Sequence, residues 1–121
     1  MEAKEAELIQ MLKNKIINHT REQWIDQYLY LTQIVMPKAA LIKRHDWPIK
    51  HDHCFQRVVL DNVCNGAWYD YIKQPAYRHL TETQAQAAVK LCENILAGEI
   101  DLHCLNKRSL RWRQKQSSFA F

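Results

Sequence analysis

Two glycines and three prolines are all that this chain of 121 residues has for sharp turns. Sandwiches and small barrels need a turn roughly every 8–12 residues, and collagen-like or linker-rich chains need far more glycine. A 47% hydrophobic content is too high for a disordered chain. The expected architecture is therefore all-α: a single-domain irregular bundle of about five helices over residues 1–121, carrying one ordered His-rich loop. The last residues, 116–121, have no periodic support and are expected to fray.

Local signals place the helices. Residues 3–18 carry Leu8, Met11, Leu12 and Ile16 on one face, with glutamates early in the helix. Thr20 and Gln23 form a capping box ahead of an apolar face built from Trp24, Ile25, Tyr28, Leu29, Leu31, Thr32, Val35 and Met36. Pro37 lacks an amide donor and is expected to end or kink that helix, leaving 37–52 irregular. A third helix is expected from Asp52 as N-cap to the Asn65-Gly66 stop, followed by a short aromatic turn at residues 68–72. Thr81 and Gln84 form a second capping box, and Gly98 fits the position just past that helix's end. The last helix has two alternative caps, Asp101 or Asn106, the second with Leu105 and Leu110 as a hydrophobic staple.

No signal peptide and no run of about 18–20 apolar residues is seen, so the expectation is a cytoplasmic protein without membrane contact. Cys54, Cys64, Cys92 and Cys104 form no CxxC pair and read as reduced core thiols.

Two segments carry chemistry. The first is the loop holding His45, His51 and His53 with Asp52 and Cys54 close by. In an extended segment His51 and His53 point the same way, so a divalent metal could use the pair with His45, Asp46 or Cys54, or Asp52, completing the shell. The alternative is that His45 and His51 are solvated while Asp52 caps a helix. His51-Asp52 resembles the His-Asp pair of the HD-domain phosphohydrolases, with His45 upstream and Asp70 or Asp101 as the distal carboxylate. That resemblance implies a metal-dependent hydrolase, but it covers four residues only. His45 also lies too near in sequence to arrive from a separate helix. On the next helix, Arg57 and Asp61 have the i,i+4 spacing of an exposed ion pair. Should that face lie beneath the histidine loop, Arg57 becomes an anion-binding residue.

The second segment is the basic C-terminus. The net charge of +4 is a local excess: Lys107, Arg108, Arg111, Arg113 and Lys115 surround Trp112 with no acid between them. Such a face, joined by Lys43 and Arg44, suits a nucleic-acid backbone, with Trp112 stacking on a base. The plainer reading has Trp112 as a core plug with arginines snorkelling around it. A helix-turn-helix reader is a poor fit, because the helix after Gly98 opens with Leu102, His103, Cys104 and Leu105.

Trp68, Tyr69, Tyr71 and Tyr77 either line a pocket or partner surface or close one end of the bundle. The function expected first is a non-enzymatic binding protein contacting nucleic acid. A regulatory or adaptor protein binding a protein partner comes second, and a small metal protein or hydrolase third. A homodimer through the broad apolar face of the first two helices is equally compatible with the sequence.

Overall fold

The Thr20 capping box forms as the spacing requires. The threonine hydroxyl accepts the Gln23 amide at 3.2 Å, and the Gln23 side chain accepts the Thr20 amide at 2.8 Å. It opens α1 (Arg21–Tyr30). The computed structural model describes residues 19–119, with side chains on the last helix described through Gln114; the expected helix over 3–18 lies outside them. All secondary structure among the described residues is helical. None of these helices is long and apolar enough to cross a membrane.

The chain does not break at Pro37. A π-helical turn over Leu31–Val35 leads straight into α2 (Met36–Ile42), with the proline in its first turn. In the π turn the Met36 amide bonds five residues back to the Leu31 carbonyl. One extra residue per turn shifts the carbonyl that a proline ring would otherwise strike, and the missing N–H falls where the ladder changes register. Buried Thr32 supports the turn by donating its hydroxyl to the Tyr28 carbonyl at 2.9 Å. The irregular stretch expected over 37–52 is thereby narrowed to residues 43–51.

That loop lies against the bundle through buried Trp47 and Ile49, with Trp47 meeting Phe55 edge-on at 5.6 Å. Next comes α3 (Asp52–Cys64), whose N-cap is His51, one residue earlier than expected. It stops at Asn65, which takes a left-handed conformation at φ 57°. Gly66 follows because the Tyr71 ring packs where a Cβ would sit, 2.8 Å away. A 3₁₀ turn over Trp68–Asp70 and the short α4 (Ala76–His79) lead to α5 (Glu82–Leu96). The Thr81–Gln84 capping box is present, and Ala85, Ala88, Val89, Cys92 and Ile95 are buried. Burial and neighbouring Glu93 push the Cys92 thiol up to about 12. Gly98 adopts φ +76°, as a helix stop requires.

Asp101 begins α6 (Leu102–Phe119), accepting the His103 amide at 3.0 Å. Asn106 caps nothing, and the expected Leu105–Leu110 staple does not form: Leu105 is buried and Leu110 exposed. The backbone stays helical through Phe119. Arg21, at the start of α1, holds the entry to α5 by donating to the Leu80 and Arg78 carbonyls. The core between these helices is filled by Tyr28, Met36, Phe55, Val58, Leu80 and Ile95.

Candidate functional sites: a buried carboxylate, a pocket and two surfaces

The expected exposed pair between Arg57 and Asp61 is replaced by a clasp between α3 and α6. Asp61 is completely buried. Its carboxylate accepts the Ser109 hydroxyl at 2.6 Å, Arg113 Nε at 2.8 Å, Arg113 Nη2 at 3.1 Å and the Trp68 amide at 2.9 Å. A buried charge survives only with such a full set of partners. Arg57 turns to neutral acceptors instead, donating to Ser109 Oγ at 2.7 Å and Asn106 Oδ1 at 2.8 Å. Ser109 therefore joins the two arginines, accepting from Arg57 and donating to the acid that Arg113 neutralises. The bond to Asp61 holds Arg113 above the usual arginine range, whereas burial lowers Arg57. Burial, with Asp61 nearby, also pushes the Cys64 thiol up.

Arg57 borders a pocket of about 660 Å³ between α1, α3 and residues 68–77. Leu29, Leu60 and Ala76 give it apolar wall, and Trp68 and Tyr77 add aromatic surface. Its polar lining comes from Gln33, Gln56, Gln74 and His53 as well as Arg57. The Gln56 amide is fixed by donating to Thr32 Oγ1 at 3.2 Å. Among the described residues no acid lines this pocket. The aromatic residues are thus divided: Trp68 and Tyr77 line it, Tyr69 lies under the Arg113 guanidinium at 5.1 Å, and Tyr71 covers Gly66.

The basic residues are also divided. Lys107, Arg108 and Arg111 are exposed on α6, Trp112 is half-buried, and Arg113 is held in the clasp. Lys115 lies outside the described side chains. Lys43 is exposed and Arg44 half-buried beside Gly98.

His45, His51 and His53 are all exposed. The rings of His51 and His53 stack in parallel at 5.9 Å, and His53 Nδ1 lies 3.3 Å from Asp52 Oδ1. Among the described residues, no three His, Cys, Asp or Glu side chains come together as a group that could hold a metal ion. The metal reading of His45, His51, His53 and Asp52, and with it the HD-type set, lacks the required convergence. Asp101, one proposed distal ligand, caps α6.

A second surface follows the continuous helix of α1, the π turn and α2. Tyr30, Ile34, Leu41 and Ile42 stand 55%, 53%, 72% and 57% exposed. They are four of the eight large hydrophobic side chains exposed among the described residues. Beside them runs a groove of about 520 Å³ with Val35, Ala39 and Leu96 in its lining and Lys38, Lys43 and Arg44 as its charges.

Sequence reasoning missed Ser109 and Asn106. The signal was available: Leu102, Leu105, Ser109 and Trp112 follow one helical stripe, and a hydroxyl on an apolar stripe needs a buried partner. No protein-family model matches the chain, and no curated protein or solved structure is significantly similar to it.

Proposed function

We propose that this chain is a non-enzymatic adaptor that docks an acidic, amphipathic helix of a partner protein along its α1–α2 face. The observation that carries the reading is the exposed stripe of Tyr30, Ile34, Leu41 and Ile42 beside a groove whose charges, among the described residues, are all cationic. Exposed apolar side chains gathered on one face mark interaction surfaces rather than ordinary solvent contact. Spacing of four residues from Tyr30 to Ile34, and onward past Lys38 to Ile42, suits the anchors of a helix laid in a groove. Lys38, Lys43 and Arg44 favour glutamates and aspartates on the incoming helix and repel a second copy presenting the same cations.

The test uses two synthetic helical peptides with the same leucine stripe, one with glutamates and one with lysines on the polar face. Amide shifts in residues 30–44 are expected with the acidic peptide alone. Ile34→Glu with Ile42→Glu should weaken that binding about tenfold or more while leaving the melting temperature unchanged, because both side chains are exposed. Equal binding of the two peptides, or shifts confined to another face, would overturn the reading.

A second reading rests on a separate observation. Lys107, Arg108 and Arg111 stay free of the α3–α6 clasp on the exposed side of α6, a footprint for phosphates. Arg113, committed to Asp61, is not part of it.

A further inference from the structure

We infer that the pocket beside Arg57 binds a small planar molecule bearing one anionic group, a carboxylate or a phosphate. It lies on the Leu29 and Gln33 flank of the long helix, apart from the groove at Tyr30 and Ile34, so the inference is independent of the docking face.

The first argument is the state of Arg57. Its guanidinium is half-buried, and the nearest acid on its own helix, Asp61, is occupied by Arg113, Ser109 and the Trp68 amide. Among the described residues no carboxylate comes within ion-pair distance of Arg57; the side-chain bonds it makes to α6 go to the neutral oxygens of Ser109 and Asn106, and the Cys54 side chain on its own helix is a further hydrogen-bond neighbour. A partly desolvated cation held by neutral acceptors keeps an unspent preference for an anion. The lowering of its pKa by burial has the same cause.

Preorganisation is the second argument. Ser109 and Asn106 fix two of the guanidinium's donor positions, and Ser109 is itself anchored on Asp61. The remaining donors are presented by a side chain whose rotamer is already chosen, which reduces the ordering cost of binding. The third argument is the rest of the wall. Trp68 and Tyr77 bring aromatic rings to the lining, the Gln56 nitrogen bonds Thr32, and Gln33 and Gln74 supply further amides. An anchoring cation, aromatic surface and fixed amides are the groups that recognise a heteroaromatic acid, and the volume is that of an ordinary small-molecule site.

Titration calorimetry on the full chain tests this with adenosine 5′-monophosphate and indole-3-carboxylate. Adenosine and indole serve as rings without the anion, and inorganic phosphate and acetate as anions without the ring. At least one planar acid is expected to bind about tenfold more tightly than its neutral ring and its bare anion. The acid that binds identifies phosphate or carboxylate as the anchored group. Arg57→Gln should abolish the preference for the acid. Tyr77→Ala, at an exposed ring that the core does not need, should weaken binding severalfold with no change in melting temperature. The inference is overturned if neither acid binds at about 5 mM, if phosphate or acetate binds as tightly as the planar acid, or if binding survives both substitutions unchanged.

Discussion

Asp61 is the acid on which Ser109, Arg113 and the Trp68 amide converge. A buried carboxylate with four hydrogen bonds and one neutralising guanidinium is tolerated, but the same group with its cation removed is an uncompensated charge. Arg113→Ala is therefore expected to cost about 3–5 kcal/mol in urea unfolding, far more than a surface arginine would. Asp61→Ala should cost a similar amount, and the double variant about 1–3 kcal/mol less than the two summed. An additive double variant would show that the two side chains are not a coupled pair. The sequence made Asp61 and Arg113 visible as charges but could not pair them. The i,i+4 rule offers Arg57 as the local partner, and only the packing of α6 on α3 brings in a residue 52 positions away.

At the scale of elements, legibility follows the range of the signal. The two capping boxes and the stops at Asn65 and Gly98 depend on residues three or four apart, and each forms where the sequence places it. Thr81→Ala should remove about 1 kcal/mol from the unfolding free energy, read as a lower urea midpoint at unchanged slope. A changed slope would mean that more than a cap was lost. Pro37 is the counterexample. Whether a proline ends a helix depends on whether the preceding turn can widen, and here buried Thr32 and Met36 hold a π turn in place. Nothing local to the proline announces that. The two alternative starts of the last helix were a tie in sequence, broken because Asn106 is needed as an acceptor for Arg57.

For the molecule as a whole, the helical class was readable from glycine and proline scarcity alone, and the location of its surfaces was not. Tyr30, Leu41 and Ile42 are as apolar as the residues beside them that fill the core. Burial depends on the angle at which α5 meets the long helix, which periodicity leaves open. The basic terminus was legible as a charge excess, yet its cations divide between solvent and clasp for the same reason. The nucleic-acid reading therefore rests on three described cations on α6. Binding of a single-stranded oligonucleotide through them should show a log–log salt slope of about −2, as three phosphate contacts require. Lys107→Ala, Arg108→Ala and Arg111→Ala together should flatten that slope and leave stability intact. Binding that is insensitive to salt would remove this reading.

The Ser109 hydroxyl, which links Arg57 to Asp61, also acts as a key for the position of α6. A slide of that helix by one turn, about 5.4 Å, would take Ser109 and Arg113, themselves one turn apart, off the two positions from which both reach Asp61, and in one direction would put Leu105 in the place of Ser109. The joint contacts of Ser109 and Arg113 with Asp61 favour this placement of the helix over a slid one. The outward face of Lys107, Arg108 and Arg111 is thus set indirectly: a single acid in the interior decides which positive charges the protein shows to its surroundings.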